Sequence, residues 1–328
     1  MLHVEHLSVE YQTSRGPVHA VDDVSFRIGP ARTLALVGES GSGKSTTALA
    51  ILDLLPERQS RVSSGRIVFD GVDLARASAK QLDAIRGPRI GMVFQDALTS
   101  LNPSLTIGSQ IAETLRRHGL ARSDAARRRT LELLAEVQLP DPQRVARSYA
   151  HQLSGGMRQR ALIALGLCCD PELLIADEPT TALDVTIQAE ILGLLRRLPD
   201  DREMSMLLIT HDLGVASEIA DDVAVMYAGE IVEIGPTAGV LGEPAHAYTR
   251  ALLGALPSLD AESPRRARLT TIPGSPPDLI SPPPGDRFAA RVSPELAAPP
   301  GTPSPDLVEV APDHFARIVR SSHHVPAL

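Results

Sequence analysis

The sequence predicts an α/β chain with a parallel core sheet, on three observations. Residues 33–37 and 173–176 are short apolar runs of the kind that fill strands buried on both faces. A glycine-rich stretch, 38–45, separates the first run from a segment of helical composition. Strand-like and helix-like segments then alternate as far as residue 227, the order that builds a sheet covered by helices.

Residues 2–10 and 18–28 alternate apolar and polar positions through Val18, Ala20, Val24, Phe26 and Ile28, and Gly29-Pro30 closes the second segment. This pattern predicts an N-terminal antiparallel β layer. Residues 33–37 form the first core strand, and a helix is expected from Lys44 to Leu55. Residues 66–69 lead into the turn signal Asp70-Gly71, and residues 90–94 make another apolar run before Gln95. From 107 to 150 the period becomes helical, with Leu131, Leu134, Val137 and Leu139 apolar and Ser123-Asp124 suited to cap a helix. A helical subdomain, about 97–160, is therefore expected as an insertion in the sheet domain. Later strands are predicted at 173–176, 206–209 and 223–227, and helices near 186–198 and 213–219.

The last 72 residues hold 15 of the chain's 27 prolines and little apolar periodicity before Val308. They predict an irregular, partly mobile extension. The expected division is a domain of residues 1–256 followed by a Pro-rich extension, 257–328, with the boundary near Pro257. At 328 residues the chain accommodates one large domain and an appendage. Hydrophobic residues make up 43% and the mean hydropathy is near zero. No apolar run approaches the roughly 20 residues that cross a bilayer, and the N-terminus lacks the pattern of a secretory signal. A cytoplasmic location is expected. Net charge is −8, without a long basic run, which counts against non-specific nucleic-acid binding. Cys168 and Cys169, the two cysteines, are adjacent and read as core or helix-face residues.

Chemistry enters at Gly38-Glu39-Ser40-Gly41-Ser42-Gly43-Lys44-Ser45, a full match to the phosphate-binding loop pattern between a strand and a helix. Glycines let successive N–H groups turn inward around phosphate oxygens, and the helix N-terminus adds positive potential there. Lys44 would bridge the β and γ phosphates, Ser45 would offer its hydroxyl to Mg²⁺, and Thr46 continues the phosphate-contacting run. The loop alone does not separate an ATPase from a GTPase or a small-molecule kinase.

Asp177 follows four apolar residues, which sets a carboxylate at the carboxyl edge of a buried strand, where it can hold Mg²⁺ through a water. Glu178, one residue on, is expected to be the general base, orienting and polarising the attacking water. The bland alternative is a surface acid pair at a strand end. Gln95 would contact Mg²⁺ or the lytic water, and His211, following the strand at 206–210, would reach the γ phosphate from the far side. Tyr11 would stack on adenine or be an ordinary strand-end aromatic. Ser154, Gly155 and Gly156, before a helix starting near Met157, would form a second anion site.

Leu153-Ser154-Gly155-Gly156-Met157, about twenty residues before the acidic strand, resembles the signature loop of ATP-binding cassette proteins. The resemblance implies a P-loop NTPase cassette in which Ser154, Gly155 and Gly156 face away from the chain's own Lys44 and complete the ATP site of a second, facing subunit. Asp184, in Thr181-Ala182-Leu183-Asp184, resembles the loop along the dimer seam, a role compatible with capping the helix that follows.

Three further stretches, 95–103 (QDALTSLNP), 226–233 (MYAGEIVE) and 246–253 (HAYTRALL), resemble the ATPase subunits of bacterial dipeptide, oligopeptide and nickel importers. The similarity runs from residue 2 to about residue 288. It implies a peripheral ATPase on the cytoplasmic face of the membrane, paired with an identical or paralogous ATPase. Two membrane permeases and an extracytoplasmic solute-binding protein complete the assembly, with no nucleic acid. The permeases' coupling helices would dock around residues 95–103 and the helical insertion. Peptides are the expected solute; nickel or another small solute would use the same machinery.

Members of this group often hold an iron–sulfur cluster through C-terminal cysteines. Here the stretch from Gly285 onward, with Arg287, Phe288 and Arg291, has none, so no cluster is expected. Met157 stands where many cassettes have Gln, as is common in the peptide-importer group. A DNA-repair cassette would need a long coiled coil or zinc cysteines between its motifs, and the roughly 133 positions from Lys44 to Asp177 hold neither. A translation-type cassette would carry two copies, and an exporter would fuse a membrane domain. A partner without hydrolysis would lack intact Lys44, Asp177, Glu178 and His211.

Overall fold

The computed structural model describes residues 1–181, 183–255, 271–293, 296 and 298–318. In chain order its first elements are β1 (Leu2–Thr13), β2 (Gly16–Ile28), β3 (Thr33–Val37), α1 (Lys44–Ile51), β4 (Ser60–Phe69), β5 (Val72–Asp73), α2 (Ala79–Ile85) and β6 (Ile90–Val93). A helical stretch follows: α3 (Ala97–Ser100), α4 (Ile107–Arg117), α5 (Ser123–Glu136), α6 (Pro142–Arg147) and α7 (Gly155–Leu167). The chain then returns to the sheet through β7 (Leu173–Asp177), α8 (Val185–Arg202), β8 (Ser205–Thr210), α9 (Leu213–Ile219), β9 (Asp222–Tyr227) and β10 (Glu230–Pro236). Last come α10 (Thr237–Gly242), α11 (Ala247–Gly254), α12 (Ala289–Val292), β11 (Leu307–Ala311) and β12 (His314–Arg317).

Two sheets form. The smaller is antiparallel, ordered β2-β1-β4-β5, and its alternating side chains Leu2, Val4, Leu7, Val9, Val24 and Phe26 are buried against the larger one. The larger is ordered β11-β12-β10-β9-β3-β8-β7-β6. From β9 to β6 it is parallel, and every residue of β3, β7 and β8 is buried, as expected of strands covered on both faces. In-register pairing of Val37 with Thr210, Asp177 with Ile209 and Val93 with Ala176 brings the loops after β3, β8, β7 and β6 to one edge. That carboxyl edge is where open α/β sheets bind ligands.

The helical stretch is an insertion between β6 and β7. Its helices start on local signals: Asp96, Thr106, Asp141 and Ser154 each accept a backbone N–H from the turn they open, and Pro142 occupies the first turn of α6. Ile107, Ile111, Leu115, Leu133, Leu134 and Val145 bury the inner faces, and α7 carries this core back to β7.

Several boundaries differ from the expected ones. Helix α1 stops at Ile51 rather than Leu55, because Asp53 adopts a left-handed φ of 49° and Pro56 follows. Helix α5 opens at Ser123 behind Arg122, so Ser123 is its first residue rather than its cap, while Asp124 complements the dipole in the first turn. Helix α7 begins at Gly155, two residues before Met157, and the strand at 90 ends at Val93. Strand β10 was not foreseen; Ala228 (φ 50°) and Gly229 (φ 90°) make the two-residue turn that folds it onto β9.

The extension is also less irregular than its prolines suggest. The expected boundary at Pro257 lies outside the described residues, but 307–317 forms a hairpin whose second strand pairs antiparallel with β10. Glu233, wholly buried on β10, accepts from the N–H groups of Ala245 and His246 and lies 2.7 Å from His314 Nε2. Phe288 is 1% exposed and packs edge-on against Tyr227 and Tyr248 at centroid distances of 5.3 and 5.2 Å. Among the described residues no helix is long and apolar enough to cross a membrane.

Truncating a buried aromatic of this kind costs about 3–5 kcal/mol. Phe288→Ala is therefore expected to lower the thermal midpoint by roughly 10 °C in a chain this size, read by calorimetry. A midpoint within a degree of the parent would show that the extension does not share the core.

Candidate functional site

The loop between β3 and α1 is shaped by close backbone approaches. A Cβ at Gly38 would lie 2.1 Å from the Met226 carbonyl oxygen, and one at Gly43 would lie 2.3 Å from that of Ala20, with φ of 152° and 108° at the two glycines. Both positions require glycine. The turn after β9 closes the cradle, since Gly229 donates its N–H to Ser42 O at 3.0 Å. Within the loop, Lys44 Nζ donates to the carbonyls of Gly38 and Glu39 at 2.8 and 2.9 Å. Among the described residues, buried Ser42 Oγ has no hydrogen-bond partner. An orphaned hydroxyl and an ammonium resting on its own loop's carbonyls leave donors for an incoming anion, and the N-terminus of α1 adds backbone N–H groups. Gly41 leaves open space around its Cα, Ser40 and Gly41 are exposed, and Thr46 is half-buried on α1.

Ser45 Oγ donates to Asp177 Oδ1 at 3.1 Å, joining α1 to the end of β7. Hydroxyl and carboxylate oxygens at this edge are the hard donors that suit Mg²⁺. Burial pushes the Asp177 carboxyl above its usual range, with the Ser45 hydrogen bond opposing and the Glu178 charge reinforcing the shift. Burial likewise pulls the Lys44 amine below its usual range, against the charges of Glu178, Asp177 and Glu39.

Glu178 takes a left-handed φ of 45°, which turns the chain out of β7. Its Oε2 accepts from Gln95 Nε2 at 2.8 Å and Thr181 Oγ1 at 2.9 Å, and its Oε1 lies 3.3 Å from His211 Nδ1. Burial would raise this carboxyl, but the Thr181 hydrogen bond, His211 and the Lys44 charge together hold it below the ordinary glutamate range. The structure thus gathers Gly38, Glu39, Ser42, Lys44, Ser45, Gln95, Asp177, Glu178 and His211 at one edge of the sheet. Sequence reading overlooks Thr181; its three-residue spacing from Glu178, closed by the Thr181 N–H to Glu178 O bond of 3.1 Å, is the signal that finds it.

The other candidates stand elsewhere. Ser154 caps α7, accepting from Met157 N at 3.3 Å, and Ser154 and Gly155 are exposed. A Cβ at Gly155 would touch Leu183, and one at Gly156 would collide with Ile187, so these glycines seat α7 against the loop after β7 and the start of α8. Asp184 holds the N-cap position of α8 without a side-chain capping bond, and it and Val185 are exposed. Tyr11 is not at the end of β1, which continues to Thr13; it pairs with Val18 and Ser60 and packs half-buried against the core. Leu98, Leu105 and Phe94 expose 58, 42 and 38% of their surface beside residues 95–103.

Comparisons with known proteins give the chain's family. The profile of the ABC transporter family matches residues 21–181, and that of the oligopeptide/dipeptide transporter C-terminal region matches 232–293. The dipeptide transport ATP-binding protein DppD of Bacillus subtilis is 51% identical over 291 residues, 89% of this chain and 86% of the relative. The chain belongs to the ABC transporter family, as one of its ATPases. Within that family, the oligopeptide transport ATP-binding protein OppD of Bacillus subtilis is 49% identical over 293 residues, 89% of this chain and 81% of the relative. Among solved structures, the ATP-binding cassette MJ0796, a dimer in a post-hydrolysis state with ADP and Pi, superposes with a TM-score of 0.65 at 28% identity. That match covers 72% of this chain and 99% of the other. CbiO1 of Clostridium perfringens, part of the ABC transporter complex cbiONQ, gives a TM-score of 0.62 at 29% identity over 74% of this chain and 90% of its own.

The raised Asp177 carboxyl carries a sign. Its ionised form is disfavoured in the fold, so the nucleotide-free protein loses stability as pH rises through that group's folded pKa. Asp177→Asn, which can still accept from Ser45, should raise the nucleotide-free thermal midpoint at pH 7 by a few degrees, as roughly 1 kcal/mol does in a chain this size. A fall in the midpoint would contradict the burial argument.

Proposed function

We propose that this chain is the ATP-hydrolysing subunit of a peptide importer, working as a head-to-tail pair of ATPases on the cytoplasmic face of a membrane beneath two permeases. The relatives' dipeptide and oligopeptide transport and the match to that group's C-terminal region support the solute class. The observation that carries the mechanism is the Glu178 carboxylate, clamped by Gln95, Thr181 and His211 beside Lys44 and Asp177.

On this reading the N–H groups of the glycine loop receive the phosphates, and Lys44 exchanges its two carbonyl acceptors for β and γ oxygens. Bound Mg²⁺, held by Ser45, Asp177 and the amide oxygen of Gln95, would neutralise charge on those oxygens. Glu178 stays ionised at neutral pH. It orients a water toward the γ phosphorus and accepts its proton as the bond to the leaving ADP oxygen breaks, releasing inorganic phosphate. Oε2 already accepts two hydrogen bonds, so the water meets the remaining acceptor capacity on Oε1 beside His211, and taking up that water shifts how Gln95 and His211 hold the carboxylate, a rearrangement of the shared Gln95 bond. Gln95 leads directly into α3, so that rearrangement reaches the exposed Leu98 and Leu105, the face proposed for the permeases.

Ser154 supports the paired arrangement. Its oxygen already accepts from Met157, which leaves the O–H free to donate outward to a phosphate held by a facing subunit. Exposed Asp184 and Val185 would line the same seam, and Tyr11 would meet the adenine. ATP then binds the closed pair better than the open chains, and only that difference drives closure.

Glu178→Gln should retain ATP binding, trap the pair on size exclusion, and slow phosphate release by about 10²–10⁴-fold, the usual contribution of a positioned base. Unchanged turnover would remove Glu178 from that role. Ser154→Arg should abolish hydrolysis at the facing subunit's site while this chain's own ATP affinity stays close to the parent; lost binding would overturn the composite site.

A further inference from the structure

We propose that Arg291, in the C-terminal extension, is a positioning residue for ATP: it holds the Glu39 carboxylate aside so that Lys44 remains available to phosphate. This inference rests on the phosphate loop binding ATP. Glu39 is the second residue of that loop, and each of its polar groups is engaged. Its N–H donates to Tyr248 Oη at 3.0 Å, its carbonyl accepts from Lys44 Nζ at 2.9 Å, and its carboxylate takes both terminal nitrogens of Arg291 at 2.6 and 3.1 Å.

Arg291 is itself fixed from several sides. Its Nε donates to Pro273 O at 2.6 Å, and its guanidinium carbon lies 5.8 and 6.0 Å from the ring centroids of Tyr227 and Phe288. The Arg291 side chain is 6% exposed and that of Glu39 28%. A pair this sheltered gains little net stability, because desolvation offsets most of the attraction. Its effect is instead geometric, since the planar fork dictates where both carboxylate oxygens lie.

The alternative partner explains what is at stake. Glu39 already acts on Lys44 through its charge, and its backbone carbonyl is bonded to the Lys44 amine. Released from Arg291, the carboxylate would be an uncompensated anion on the residue whose carbonyl already holds the ammonium meant for phosphate. It would compete for Lys44 and repel the triphosphate. A contact that spans a sequence separation of 252 makes the extension part of the nucleotide site, and by reciprocity bound ATP favours the docked extension.

The test uses the full chain, with Mg-ATP affinity by calorimetry, steady-state KM and kcat, and the thermal midpoint without nucleotide. Arg291→Met should raise the ATP Kd and KM about tenfold, equivalent to ~1.4 kcal/mol, with kcat at saturation nearly unchanged. Adding Glu39→Gln should return the Kd to within about threefold of the parent, because the competing charge is gone. Arg291→Lys, which keeps the charge without the fork, should fall between them, and carries the test if Arg291→Met does not fold. Parent-like affinity in both Arg291 variants, or a double variant no better than Arg291→Met, would overturn the proposal, the latter marking Arg291 as a docking residue only. Failure of the parent chain to bind Mg-ATP would instead refute the nucleotide reading itself.

Discussion

One buried ammonium governs this molecule. Lys44 stands at the carboxyl edge of the sheet among Asp177, Glu178 and Glu39, sheltered enough that its proton is held less tightly than usual. Asp177 is disfavoured in its charged form for the same reason. Such an arrangement is poorly balanced without a ligand and well suited to one that brings several negative oxygens and a divalent cation. The fold supplies the rigidity this needs: β3 is fully buried between β8 and β9, so the loop that leaves it has little freedom to relax. Glycines at 38 and 43 let the backbones of Met226 and Ala20 press against that loop from behind.

Much of this was legible in the sequence because it is local. The order of strand, glycine loop and helix fixes where Lys44 and Ser45 fall. Apolar runs ending in Asp177, Gln95 and Thr210 put the next side chains at the same edge once the strands are parallel. Caps at Asp96, Thr106, Asp141 and Ser154 are written in single residues. What was not legible depends on pairings across long separations or on subtle backbone states. The left-handed Asp53 shortens α1, and no period announces it. The turn at Ala228-Gly229 has only one glycine to signal two positive φ values, which hides β10 behind β9. Proline content points to an irregular segment, and it does not announce that Phe288 joins the core while Arg291 reaches Glu39, because composition averages over positions while packing is decided residue by residue. Tyr11 shows the opposite error: an aromatic near an expected strand end sits two residues inside the strand and half in the core.

The Lys44–Glu178 cluster and the loop at 154–156 occupy different parts of one chain, yet they share a mechanical path. Glu178 opens the turn that Thr181 closes, and Leu183 and Ile187 stand where side chains at Gly155 and Gly156 would otherwise lie. A shift in the acidic turn therefore presses on the start of α7 within a few residues. Gln95 offers a second path, from the same carboxylate into the helical insertion. Both routes begin at one side chain, so a single local event can be felt at the subunit seam and at the insertion's exposed apolar surface together.

The terminal hairpin has a practical meaning for anyone who shortens this protein. Strand β12 covers the outer edge of β10 and brings His314 to Glu233, a carboxylate with no access to water. A chain ended near residue 256 would bare a row of unsatisfied amides and carbonyls along β10 and strand a buried acid without its imidazole. Such a fragment would be a template for edge-to-edge association. It would be expected to precipitate before ATP turnover could be assayed, even with residues 38–45, 177 and 178 intact.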